Sequence, residues 1–243
     1  MHRFYLPPNE SLILTGAEAH HARHVLRLEP GARINLFDGR GRETTAEITG
    51  LDSAGIHLRA LHEATTLPLR CRITLAQAIP KGKNMDLIVQ KAVEIGAAEI
   101  FPLLSARTIM QLDPESAAQK QSKWQTVAVE AAKQCGQNWL PQVHAPRAPN
   151  DFYAARDFDL RLIGSLQPGA MHLKKILAEY EHGHGGARPA SVLMVIGPEG
   201  DFTPAEIALA RTHGCVPLTL GPIILRVETA AIYCLSILSY ELL

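Results

Sequence analysis

Two short segments place residue types able to do chemistry where a strand gives way to a helix. The first is Ile196-Gly197-Pro198-Glu199-Gly200-Asp201-Phe202, which follows a strongly apolar run. Its glycines let backbone approach a ligand closely and allow positive φ. The helix beyond it opens with backbone N–H groups that have no partner of their own. The second is Leu220-Gly221-Pro222-Ile223-Ile224-Leu225-Arg226-Val227-Glu228-Thr229-Ala230, where four apolar residues stand in a loop just before a helix. An apolar wall beside free backbone amides suits the adenine of a nucleotide-like cofactor. Each segment also has a plainer reading. Pro and Gly punctuate any strand-to-helix loop, and the apolar residues fit a core-facing linker. A third turn, Ser165 to Gly169 after the apolar run Leu160 to Gly164, says little by itself.

The elements around these turns alternate from about Arg70 onward. Strands are predicted at Arg72–Ala78, Glu99–Leu104, Asp159–Ser165, Ser191–Ile196 and Val216–Leu220. Helices are predicted at Asn84–Ile95, Lys120–Gln134, Ala170–Tyr180 and Val227–Leu242, with Asp113-Pro114-Glu115 a further helix start and Gly136 a stop. Thr203-Pro204-Ala205-Glu206 opens another helix with a capping box and proline at its first position. Such alternation predicts an α/β fold with a mostly parallel sheet, whose ligands bind beyond the carboxyl ends of the strands. Residues before about 68 read instead as short β elements, Arg33–Phe37, Glu43–Thr49 and Gly55–Leu61, with one helix, Ala17–Leu26, opened by a Thr15/Glu18 capping box. A small β-barrel or compact sheet fits them. Glu181 to Pro189 reads as a flexible surface loop, and we expect no metal at its histidines.

Composition excludes more than it identifies. The 24 basic and 24 acidic side chains cancel, so any basic surface is local. Cys71, Cys135, Cys215 and Cys234 form no C-x-x-C pair, which argues against a zinc site and a disulfide framework and suits a reducing cytosol. No signal-peptide pattern and no apolar run long enough to cross a membrane stand in the sequence, so a cytoplasmic protein is expected. No G-x-G-x-x-G or Walker-type loop opens a helix, which disfavours a Rossmann enzyme.

Taken together, IGPEGDFTPAEI (Ile196 to Ile207) and LGPIILRVETAA (Leu220 to Ala231) resemble the RsmE family of SPOUT methyltransferases. KGKNMDLIVQKAVEIGAAEIFPL (Lys81 to Leu103), WQTVAVEAAKQCGQ (Trp124 to Gln137), HRFYL (His2 to Leu6) and HHARHVLR (His20 to Arg27) support the resemblance in order along nearly the whole chain. It implies a PUA-like RNA-binding β-barrel over residues 1–68 and a SPOUT domain over 69–243, with a C-terminal trefoil knot that cradles S-adenosylmethionine (SAM). It further implies methylation of uridine N3 in 16S ribosomal RNA by a homodimer, without a metal. Ile232, Leu235, Ile237, Leu238 and Leu242 make the last helix apolar on more than one face, as burial against core and partner requires.

The resemblance assigns the cofactor to Ser165, Gly197, Pro198, Glu199, Gly200, Leu220, Gly221, Ile224, Leu225, Arg226, Thr229 and Ala230. Glu199, Arg226 and Glu228 are the catalytic candidates, because uridine N3 must lose a proton and negative charge must be stabilised. Glu228 also suits the first turn of a helix on electrostatic grounds alone. RNA is assigned to Arg3, His20, Arg23, His24 and Arg27, the last four at spacings that share one helical face, and to Lys81 and Lys83. Asp86 lies at the same turn, and Lys133 with Gln134 fits either RNA contact or a helix end. The chain departs from the family pattern at Asp201, where glycine is common, and at Ile223, where arginine is common. A methyltransferase acting on transfer RNA and a non-enzymatic ribosome-assembly factor are the rival readings.

Overall fold

The structure, a computed structural model, describes the chain except residues 9, 109–111, 156 and 168. It divides into two compact units, Met1–Pro68 with Val129–Leu140, and Leu69–Ala128 with Pro141–Leu243.

In the first unit, β1 (Arg3–Tyr5), β2 (Ile13–Leu14), β3 (Arg33–Phe37), β4 (Arg42–Leu51) and β5 (Ile56–Thr65) form one sheet in the order β1-β3-β4-β5-β2. Only the β1–β3 pair is parallel. Thr44, Ala46 and Ile48 of β4 are buried while their neighbours are not, the period-two pattern of a sheet with one covered face. Phe4, Leu14, Ile34 and Ile56 complete that core at 0% exposure.

The helix of this unit corrects two expectations. Helix α1 (Gly16–His20) passes into a π-helical turn, His21–Val25, and stops there. Thr15 makes no side-chain cap bond. Glu18, its expected partner, instead accepts two bonds from Lys133 Nζ at 3.0 and 3.2 Å. An ion pair outcompetes the neutral cap here because both side chains are largely shielded from water.

The second unit is a six-stranded sheet, every pair parallel, in the order β11-β9-β10-β6-β7-β8. Its strands are β6 (Arg72–Ala78), β7 (Glu99–Leu103), β8 (Gln142–Val143), β9 (Leu160–Gly164), β10 (Ser191–Ile196) and β11 (Val216–Leu218). The central strand β10 is buried from Val192 to Ile196, as a strand covered on both faces must be. The helices are α2 (Asn84–Ile95), α3 (Pro114–Cys135), α4 (Pro149–Ala154), α5 (Leu173–Gly183), α6 (Pro204–Thr212) and α7 (Val227–Leu242). The two helical signals at Asp113 and Lys120 belong to one continuous helix, α3, whose last residues count with the first unit.

Helix α7 buries Val227, Ala231, Cys234, Leu235, Leu238 and Leu242 and packs on α2, β6 and β10. The chain therefore leaves β11 at one edge of the sheet and returns to its centre. Glu181 to Pro189 is more ordered than its composition suggests. It begins inside α5, Arg188 pairs with Glu181 at 3.0 Å, and His184 donates to the Tyr180 carbonyl while stacking on its ring.

Candidate functional site

Strands β11, β9 and β10 are neighbours, so the loops leaving their carboxyl ends lie side by side. They line one cleft. Gly164, Ser165 and Leu166 come from the loop after β9, and Ile196, Gly197, Pro198, Glu199 and Asp201 from the end of β10 and its loop. Leu220, Ile223, Ile224 and Leu225 follow β11, and Val227 and Ala230 of α7 close the wall. Ser165 is fixed by its backbone N–H, which donates to the Leu218 carbonyl, and its hydroxyl accepts from the Gln167 N–H at 3.1 Å. Pro168, within the same expected turn, lies outside the described residues.

The cleft has an unusual apolar lip. Leu166, Ile223 and Ile224 are 59%, 71% and 78% exposed. Large apolar side chains left in water beside a polar loop mark a surface that a flat apolar group covers. An adenine-bearing cofactor fits this lip, with backbone groups of the loops to orient it.

The two carboxylates of the site are each held by a hydrogen bond from another loop or helix. Glu199 Oε1 accepts from the Lys81 N–H at 2.8 Å, which ties the loop after β10 to the loop after β6. Glu228 Oε2 accepts from the Asn84 side-chain amide at 3.2 Å. Arg226 is the exposed N-cap residue of α7.

Asp201 has φ of 60°, the left-handed region, and its Oδ1 accepts from the Phe202 N–H at 2.7 Å. That explains why a glycine suits this position and why Asp, which bonds its own backbone, is a workable replacement. Gly221, at φ of 98°, needs glycine for the same reason. At Gly200 the fit is close: a Cβ there would lie 3.2 Å from Cδ of Arg107, whose guanidinium donates to the Gly200 carbonyl and, at 3.5 Å, to that of Asp201.

Of the twelve cofactor residues expected from the sequence, Ser165, Gly197, Pro198, Glu199, Leu220, Ile224, Leu225 and Ala230 line the cleft. Gly200, Gly221, Arg226 and Thr229 stand in the same loops or the helix start without lining it. Sequence reasoning missed Gly164, Leu166, Ile196 and Val227 as lining residues, and Asp201 and Ile223, which depart from the family pattern, line the cleft as well. For Leu166 the available signal was an apolar residue in the turn after β9, whereas Gly164, Ile196 and Val227 only flank the motif loops and carry no signal of their own.

The RNA candidates separate into engaged and available side chains. Arg3 is engaged: its guanidinium pairs with Glu43, donates to the Gln137 carbonyl at 3.0 Å and to the Asn138 side chain, and lies over the Phe37 ring. Arg23 donates to the Asp52 carbonyl at 2.9 Å. His20 and His24 are close, with ring centroids 4.8 Å apart, and share a surface hollow with Arg23. Arg27 does not continue that face. The helix ends at Val25, and Arg27 itself has φ of 53°.

In the second unit, Lys81 and Lys83 are exposed at the start of α2. Asp86 is structural, accepting from Lys123 Nζ at 2.6 Å and Trp124 Nε1 at 3.0 Å. Lys133 is also structural, paired with Glu18 and with Glu130 at 2.9 Å, and Gln134 at the same helix end is exposed.

Comparison with known proteins agrees with this arrangement. An RNA methyltransferase domain matches residues 67–239 and an RNA methyltransferase PUA domain matches residues 14–61. The chain is 31% identical to ribosomal RNA small subunit methyltransferase E of Bacillus subtilis, over 94% of this chain and 89% of that one. It is 33% identical to the Synechocystis protein of the same name, over 93% and 72%. Among solved structures, a Legionella pneumophila methyltransferase in complex with SAM superposes at a TM-score of 0.88, with 33% identity and 98% and 97% coverage. Ribosomal RNA small subunit methyltransferase E of Neisseria gonorrhoeae, bound to SAM, superposes at 0.85, with 32% identity and 99% and 98% coverage. An α/β domain with an all-parallel sheet, a PUA-like N-terminal part and likeness along nearly the whole chain identify it: the chain belongs to the ribosomal RNA small subunit methyltransferase E family.

Proposed function

We propose that this protein transfers a methyl group from SAM to N3 of a uridine in 16S ribosomal RNA. The observation that carries the reading is the cleft at the carboxyl ends of β9, β10 and β11, with its exposed lip of Leu166, Ile223 and Ile224. The SAM-bound relatives of matching fold support the same cofactor here. We read Met1–Pro68 as the RNA-binding domain and residues 69–243 as the SPOUT domain, its C-terminal segment threaded in a trefoil knot. The return of the chain from edge strand β11 to α7 at the sheet centre supports that threading. The working form is a cytoplasmic homodimer, for which Tyr233, Ile237 and Tyr240 offer one outward face of α7.

Bound SAM supplies an electrophilic methyl group. The leaving thioether needs no metal or acid, so the protein's work is positioning and charge. Leu166, Ile223, Ile224 and Leu225 exclude water from the cofactor's apolar part, and the loop from Gly197 to Asp201 orients it. Uridine N3 must lose its proton before its electron pair attacks. Glu199, with Oε1 fixed by the Lys81 N–H, keeps Oε2 to accept that proton. Glu228, steadied by Asn84, is the second carboxylate in reach of the same loops. Arg226 offsets the negative charge that develops on the deprotonated uracil. Lys81, Lys83, His20 and His24 are the available RNA contacts.

Calorimetric titration with SAM tests the cofactor site directly. Ile224→Asp puts a charge in the lip without touching the loop backbone, and SAM affinity falls about tenfold or more. Equal affinity in wild type and variant would contradict the assignment of the lip to the cofactor.

A further inference from the structure

Beside the cofactor cleft lies a second one, bordered by Arg107, Gln167, Asp201, Phe202, Ile207 and Arg211. Asp201 borders both, so the two clefts share a wall. Among the described residues no carboxylate is ion-paired to Arg107 or Arg211, and both are exposed. The nearby carboxylates are held by backbone and hydroxyl donors and pair with neither arginine. Asp201 Oδ1 accepts from the Phe202 N–H, and Glu206 accepts from Ala106 N–H at 2.7 Å and from the Thr203 N–H and hydroxyl, each at 2.9 Å. The cleft therefore sets two guanidinium groups against the one carboxylate of Asp201, and Arg211, which no described carboxylate pairs, carries the excess positive charge that can hold an anion.

The shared wall is also stiff. Arg107 holds two successive carbonyls, Gly200 and Asp201, and Glu206 bolts the Ala106 backbone to the start of α6. Phe202 and Ile207 give the cleft an apolar floor on which a flat base can rest.

We propose that this second cleft receives the RNA strand at the target nucleotide, with Arg211 holding a backbone phosphate and Arg107 positioning the wall between strand and methyl donor. The assignment rests on the reading of the first cleft as a SAM site.

The test uses full-length protein, unmethylated small ribosomal subunits and SAM. Arg211→Ala raises KM for subunits about tenfold, Arg211→Glu raises it further, and the salt dependence of binding loses about one phosphate contact. The SAM dissociation constant measured by calorimetry stays unchanged. Arg107→Met keeps the length of the side chain but removes the nitrogen that donates to both carbonyls, so kcat falls more than KM rises. A KM and salt slope unmoved by Arg211→Glu, with SAM still bound, would overturn the second cleft alone. A weakened SAM affinity with unmoved KM would reassign Arg211 to the methyl donor and overturn it equally. Wild-type protein that binds no SAM would overturn the underlying reading instead.

Discussion

Replacing Glu199 with Gln separates its structural work from its chemistry. The structural part is one bond, from the Lys81 N–H to Oε1 at 2.8 Å, on an exposed loop. Gln keeps a carbonyl oxygen in that position and loses only the charge, so the tie weakens by about 1 kcal/mol or less, less than tenfold in any equilibrium it supports. A carboxylate that takes the N3 proton contributes about a hundredfold to ten-thousandfold in rate. Glu199→Gln therefore leaves the SAM dissociation constant within about tenfold and lowers single-turnover methyl transfer by about a hundredfold or more. Glu199→Ala removes the tie as well and weakens SAM binding further. The assays are calorimetry for SAM and rapid-quench transfer to unmethylated small subunits. Full transfer rate in the Gln variant would remove Glu199 from proton transfer and leave it as the backbone tie alone.

Other outcomes follow from particular contacts. Glu206→Ala loses the capping box of α6 and the Ala106 bond together, costing about 2 kcal/mol in urea unfolding; an unchanged midpoint would refute that coupling. Asp201→Gly relieves a left-handed side chain of about 1 kcal/mol but adds a similar unfolded-state entropy, so stability stays near wild type. A large loss on unfolding that variant would show that the Asp201 carboxylate does more than cap Phe202. Lys133→Met leaves Glu18 without its ion pair in a partly buried site and costs about 2 kcal/mol at pH 7. Burial already raises the Glu18 pKa, against the lowering effect of Lys133. Without that lysine the folded pKa rises further, so the folded variant binds more protons than the unfolded chain, and its stability recovers as pH falls toward the acid range. Thermal unfolding of the variant that grows easier on acidification would contradict this sign.

The framework of the second unit was legible because its signals are local and strong. Ser191–Ile196 is an unbroken apolar run, Thr203-Pro204-Ala205-Glu206 carries a complete cap, and both elements stand where the sequence puts them. The failures are long-range. Thr15 and Glu18 spell a capping box, but a lysine 115 residues away in sequence takes the carboxylate. Strands β1, β2 and β8 have three residues or fewer, too short to show a period.

At the site, the loops carrying the family's motifs were readable, and eight expected residues line the cleft. Arg107 was not. Its importance lies in holding the Gly200 and Asp201 carbonyls 93 and 94 residues further along, a contact no spacing encodes. Arg3 fails in the opposite sense: a basic residue at a matched position is engaged by Glu43 and Asn138 within its own unit.

The central claim is tested most directly by incubating the protein and labelled SAM with small ribosomal subunits from a strain lacking this gene, then analysing the nucleosides. The account predicts label in 16S ribosomal RNA as 3-methyluridine. Transfer to transfer RNA in its place, label in a different nucleoside, or no transfer by a protein that fails to bind SAM would contradict it.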